Sequence, residues 1–347
     1  MSDLFRDISL KAIYLQFIDE SFASGMFVYA NILLYLVCAL YFYRAMLSRS
    51  STVKKGGFIN YLFPLNSVKK RSFWIDVQWY IFSLIGFQST LLKFFFSIFY
   101  LEAIWHLFNY LGLHESSIGS YAQHYINQLP PLIKQFSIFL VVFLLYDFSL
   151  YWVHRAYHRF RILWALHKIH HYPTQLTIFA AFRSHPLEQI ILSQSSLIFV
   201  ALFANLIVPF GDLSRGATFF GNPNQVWYLL LIVVPNIVNK FNHCHFPISY
   251  GNVIDRILIS PRVHLLHHSK LVKNKNFGGV LSIWDQLFGT YEAPRNLENH
   301  YLHSLNLGTD DAVDGSYETL LHALFLPIKD FSTEIILLVK KGIKIIN

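Results

Sequence analysis

Tyr151 to His171 reads YWVHRAYHRFRILWALHKIHH, and its five histidines decide what the rest of the chain has to do. His154 and His158 lie four residues apart, while His167, His170 and His171 combine spacings of three and four. On a helix each set projects from one side, about one turn apart, and can chelate an ion. At about 100° per residue, however, His154 and His158 point roughly opposite to His167 and His171 on one straight helix. A shared centre therefore requires a bend between them, although Phe160 to Leu166 contains no Gly or Pro to impose one. The expectation is a helix that emerges with HRAYH and breaks before HKIHH.

A second cluster, HLLHH from His264 to His268, repeats the pattern with His264, His267 and His268, so eight of the 17 histidines fall in two places. Neutral imidazole suits iron, zinc, copper and nickel. Eight imidazoles are too many for one ordinary ion and sensible for two. His243, in NHCHF, is the candidate ninth ligand, with His245 and His185 as secondary candidates; His185, in RSHPLE, could instead hold a turn before Pro186. A zinc protease would need a helical HExxH, and no carboxylate follows His154. Walker, GxGxxG and GxSxG motifs are absent as well. What remains is a nitrogen-rich dimetal site. Iron at such a site can activate dioxygen, and a neighbouring bilayer makes an unactivated lipid C–H bond the matching target.

The bilayer is read from composition. The 347 residues are 54% hydrophobic and 14% charged, against roughly 25% charged in soluble domains. The expected architecture is all-α, a multi-span membrane protein of about four spans with a cytosolic histidine-rich cap. Gly25 to Met46, one crossing within Val77 to Leu111, Leu132 to Trp152 and Ile190 to Phe210 are the candidate spans. Val226 to Val238, interrupted by Pro235, is a kinked or half span. The formal net charge of +8 sits in loops beside these runs, which favours membrane orientation over nucleic acid. With the basic loop at 44–71 inside, the connection at 114–131, free of Lys and Arg, falls outside. Both histidine clusters then return to the cytoplasmic face. Leu320 to Ile346 reads as an amphipathic surface helix broken at Pro327. Three regions are expected: an anchor and basic loop at 1–71, the membrane-embedded site at 72–292, and an amphipathic tail at 293–347. Asp3, Asp7, Asp19 and Glu20 argue against a cleavable leader, so the first apolar run is read as a retained anchor. Cys38 and Cys244 offer no disulfide framework.

In order along the chain, HRAYH, HKIHH, RSHPLE, FNHCHFP, SPRVHLLHHS and NFGGVLSIWDQLFGTY resemble the motifs of the fatty acid hydroxylase/sterol desaturase superfamily, integral membrane non-haem di-iron enzymes. The resemblance covers roughly residues 70 to 292. It implies two iron ions, replaceable by zinc in purified protein, held by His154, His158, His167, His170, His171, His243, His264, His267 and His268. It implies hydroxylation or desaturation of a sterol or fatty-acyl or alkyl lipid with dioxygen. Electrons would come from a separate haem- or iron-sulfur-containing protein at the cytosolic face. The site would face the cytoplasm from the endoplasmic reticulum of a eukaryote or the inner membrane of a bacterium. Asn239 departs from the pattern, standing where many members carry a further histidine. Asp285 reads as structural or as a support for the ligands. Two other classes compete: a histidine-rich membrane metal transporter or sensor, and a non-catalytic member that regulates lipid metabolism. The first would need ionisable residues along its spans, which here hold almost none.

Overall fold

The structure, a computed structural model, describes residues 57–63, 68–84, 124–207, 234–235, 237–245, 248–294, 306–310 and 317–346, with scattered positions at 33–44 and 107–112. The described chain is helical, and it contains no strand beyond two isolated bridges. The elements are α1 (Gly57–Leu62), α2 (Arg71–Leu84), α3 (Pro131–Arg159), α4 (Arg161–His171), α5 (Pro186–Ile207), α6 (Pro261–His267), α7 (Ile283–Leu287) and α8 (Leu320–Ile346). Most of the expected spans at 25–46 and 77–111, and the loop at 211–224, lie outside the described residues.

α3 positions everything else. Its 29 residues have a mean hydropathy of 1.9 over the most apolar window, and it is the one described helix long and apolar enough to cross a membrane. Its surface is inverted relative to that of a soluble protein. Leu132, Ile133, Phe136 and Leu140 are exposed, whereas Asp147, Ser149, Tyr151 and Tyr157 are buried. Polar groups face the protein and apolar groups face outward. α5 opens with Pro186 at its start and Glu188 in its first turn, both favourable at a helix N-terminus. It runs antiparallel to α3: Tyr157 Oη donates to Glu188 O at 2.8 Å, and Phe148 meets Phe199 with ring centroids 5.6 Å apart. The histidine-bearing chain between them is thereby held at one end of the hairpin.

The expected bend is present. α3 ends at Arg159, Phe160 is extended (φ −105°, ψ 120°), and α4 starts at Arg161. One residue leaves helical geometry although no local signal demands it, so tertiary packing imposes the break. α4 is sharply amphipathic and buries Ala165, Leu166, Ile169 and its three histidines. Ile169 packs with Ile75 and Trp79 of α2 and with Tyr317 and Ala323 near the start of α8. α8 differs from expectation at Pro327, through which the helix runs unbroken. Pro327 leaves the Ala323 carbonyl without its intrahelical donor. The helix is secured on both sides of this position by His185 Nε2, which donates to Leu324 O at 2.9 Å, and by Lys168 Nζ, 2.5 Å from Asp330 Oδ2.

The loop between α6 and α7 is tied to α3 by one carboxylate. Asp147 accepts from Val280 N, Leu281 N and Trp284 Nε1 at 2.8, 3.0 and 2.9 Å. Gly278 and Gly279 make this close wrapping possible: a Cβ at Gly278 would lie 2.4 Å from Leu281 O, and one at Gly279 would lie 3.1 Å from Asp147 Oδ1. Replacing Asp147 with Ala leaves three buried donors unmet, each worth about 1–3 kcal/mol. Asp147→Ala is expected to lower the melting temperature of the purified protein steeply. An unchanged transition would remove Asp147 from this role.

Candidate metal centre

The nine histidines anticipated as ligands converge from four segments: the end of α3, α4, the helical turn at 237–242, and α6. They form two groups. His154, His158, His167, His171 and His267 make one, and His170, His243, His264 and His268 make the other. Within each group the candidate ligand atoms all lie within 4.8 Å of one another. The groups abut, with the His171 and His268 rings stacked 4.3 Å apart. α4 divides its histidines between the groups, and α6 does the same.

The outward-facing ring nitrogens are held by oxygen acceptors. His154 Nδ1 is 2.9 Å from Phe277 O, His167 Nδ1 is 2.8 Å from Glu188 Oε1, and His170 Nδ1 is 3.1 Å from Arg183 O. His243 Nδ1 is 2.7 Å from Asn239 O, and His267 Nδ1 is 2.8 Å from Lys275 O. A carbonyl or carboxylate only accepts, so each of these Nδ1 atoms carries the proton and each Nε2 carries a lone pair. The inward nitrogens then face one another. His243 Nε2 is 3.0 Å from His170 Nε2 and 3.1 Å from His264 Nε2, and His171 Nε2 is 3.1 Å from His167 Nε2. His154, His158 and His267 each have a buried Nε2 with no hydrogen-bond partner.

Protonation cannot relieve this arrangement. Burial, reinforced by neighbouring imidazoles, pushes His167, His170, His171, His264, His267 and His268 well below their ordinary value. Burial also holds His243 at about 3. The lone pairs of His170 and His243, opposed at 3.0 Å in a buried site, fit a cation shared between them. Neutral imidazole nitrogens of this kind would hold iron, zinc, copper or nickel. The donor set therefore fits two ions, one for each group.

The supporting residues were only partly visible in the sequence. Glu188 was missed: it is buried, its Oε1 orients His167, and its Oε2 accepts from His185 N at 3.1 Å. The available signal was a lone carboxylate opening an otherwise uncharged apolar run. Asp285 has the supporting role expected of it. Its carboxylate accepts from Phe277 N and Gly278 N, both at 2.8 Å, and so fixes the Phe277 carbonyl that holds His154. Arg183, buried and paired with Asp76 at 2.6 Å, similarly anchors the carbonyl that holds His170.

The two secondary candidates join neither group. His185 has both ring nitrogens occupied, Nδ1 accepting from Leu187 N at 3.1 Å and Nε2 donating to Leu324 O. It holds the turn into α5 instead. His245 packs edge-on against Tyr61, with ring centroids 5.6 Å apart.

Residues 139–290 match the family model of the fatty acid hydroxylases, an interval that contains all nine converging histidines together with Asp147, Glu188 and Asp285. The chain is 30% identical over 180 residues to the ornithine lipid hydroxylase OlsE of Rhizobium tropici, covering 50% of this chain and 47% of that protein. It is 31% identical over 153 residues to alkylglycerol monooxygenase of Homo sapiens, covering 44% and 30%. With a Delta(7)-sterol 5(6)-desaturase of Eremothecium gossypii the figures are 29% over 177 residues, covering 51% and 42%. The chain thus spans about half or less of the length of these relatives. No solved structure matches it. Residues 139–290 thus match the fatty acid hydroxylases, and these relatives support a likeness to the fatty acid hydroxylase/sterol desaturase superfamily.

Proposed function

We propose that the chain is a membrane-embedded di-iron oxygenase that hydroxylates or desaturates a lipid. The observation that carries this reading is the pair of buried groups of five and four imidazoles, each with its candidate ligand atoms gathered within 4.8 Å. Relatives named as lipid hydroxylases, monooxygenases and sterol desaturases support it. Under this reading His154, His158, His167, His171 and His267 hold one iron, and His170, His243, His264 and His268 hold the other. The irons would supply dioxygen activation for abstraction of hydrogen from an unactivated C–H bond. Hydroxylation places one oxygen atom in the product and releases the other as water, consuming two protons and two electrons. Desaturation removes two hydrogens from the lipid and reduces dioxygen to two molecules of water with the same external electrons. A separate electron-transfer protein at the cytosolic face would deliver them.

The chain's own residues preorganise the site. Backbone carbonyls and Glu188 hold five of the nine imidazoles in one tautomer, so those ligands need not reorganise when the ion binds. Burial keeps them neutral. The exposed apolar face of α3, which ends at His154 and His158, would place the centre at the edge of a multi-span membrane domain, beside the acyl or sterol body of a substrate. Residues 1–71 and 293–347 would flank this domain as anchor and amphipathic tail.

Metal analysis of the full chain is expected to find two ions per molecule. The double variant His264→Ala/His268→Ala should retain about one, because the five-histidine group keeps all its members. Two ions still bound to that variant would rule out the division into groups. Glu188→Gln is expected to keep the fold and weaken metal affinity about 10- to 100-fold, read by chelator competition; wild-type affinity would exclude Glu188 as an orienting group. Lipid extracts of cells expressing the chain should show species heavier by one oxygen or lighter by two hydrogens. His267→Ala should abolish them, and their persistence would show that His267 is dispensable.

A further inference from the structure

We propose that the cavity above the five-histidine group recognises a phosphate-bearing headgroup, brought there by a lipid. The proposal rests on the oxygenase reading and names the substrate class of the same centre.

The cavity has a volume of about 260 Å³, and His158, His171, His267 and His268 form part of its lining. Pockets that take whole drug-sized ligands run from about 300 to 1,000 Å³, so this one is sized for a headgroup and the first atoms of a chain. Arg159, Arg161, Lys270 and Lys273 line it with a single acid, Asp310. Asp310 lies 3.2 Å from the ammonium groups of both lysines. Arg161 Nη2 lies 3.2 Å from Glu334 Oε1. Arg159 has no acidic partner among the described residues. Four cations against two carboxylates leave an excess of two positive charges. A phosphate monoester, at about −1.5 to −2 near neutral pH, matches that excess. Guanidinium forks suit its oxygens, and a neutral sterol hydroxyl would leave the charge unmatched.

The wall is held ready for such a ligand. The strap at 306–310 accepts Lys270 N on Asn306 O at 2.8 Å and forms a bridge between Leu307 and Ser269. Gly308, at φ +109°, brings the strap against the Lys270 side chain. Arg159 and Arg161 flank the extended Phe160, so the break that unites the histidines also presents two cations beside them. Because the histidines share this cavity, the occupant must carry C–H bonds next to its phosphate. That favours a lipid over free phosphate.

The test is titration calorimetry on the purified, metal-loaded full chain in a non-ionic detergent. The probes are dioctanoyl phosphatidic acid, dioctanoylglycerol and inorganic phosphate. Phosphatidic acid is expected to bind at least about tenfold more tightly than either of the others. Arg159→Gln/Lys273→Gln should erase that preference with metal content and melting unchanged. Asp310→Asn should tighten binding, a gain that misfolding cannot mimic. Equal affinity for the two lipids, or no effect of these variants, overturns the proposal. Inorganic phosphate binding as tightly as the lipid would make this a free-phosphate site and overturn the lipid source. A chain that binds no metal yet keeps the preference would defeat the oxygenase reading alone.

Discussion

Buried imidazoles whose lone pairs oppose one another at about 3 Å are the constraint on which the rest of the structure depends. His170 and His243 illustrate it: their Nε2 atoms are 3.0 Å apart, their protons are committed to carbonyls on the far side of each ring, and both rings are buried. In the absence of a cation this arrangement repels itself and is also desolvated. The fold is shaped to maintain a geometry that is favourable only when positive charge sits between the rings. A cation held between these rings would couple binding to stability.

The scaffold that holds this geometry is distributed widely along the chain. Asp147 gathers the Val280–Trp284 loop onto α3, Asp285 gathers Phe277 and Gly278, and the Phe277 carbonyl returns to His154 of α3. Glu188 works across the α3–α5 hairpin, and the Asp76–Arg183 pair works from α2. Asp147, Glu188 and Asp285 are buried carboxylates with more than one donor each, and Asp76 is paired with the buried Arg183, the condition under which such groups stabilise a structure and do not disrupt it. A single substitution among them would be felt at a histidine some distance away.

α3 joins two environments. Its outward apolar side chains and inward polar ones make it unsuited to water and suited to lipid, and its last turns carry His154 and His158 into the buried cluster. The same helix thus carries an exposed apolar surface and the first two histidines of the cluster. At its end, the single extended residue Phe160 redirects α4 so that His167 and His171 face back toward His154 and His158.

The nine converging histidines were legible from spacing and motif order, because helical periods of three and four are a property of the local chain. The need for a bend was legible too, as a consequence of placing both sets on one centre. Its position at Phe160 was not, since no Gly or Pro marks it and only packing against α2 and α8 imposes it. The passage of α8 through Pro327 was likewise invisible, because it depends on a helix secured by His185 and Lys168 from distant segments. Glu188 escaped notice because a carboxylate reports its partner only once α5 has folded back along α3. Sequence alone determined the histidines, their helical spacing and the apolar element that carries the first of them. Tertiary structure alone decided how the imidazoles divide into two groups and, for five of them, which nitrogen turns inward, because that choice belongs to acceptors brought from 4 to 123 residues away.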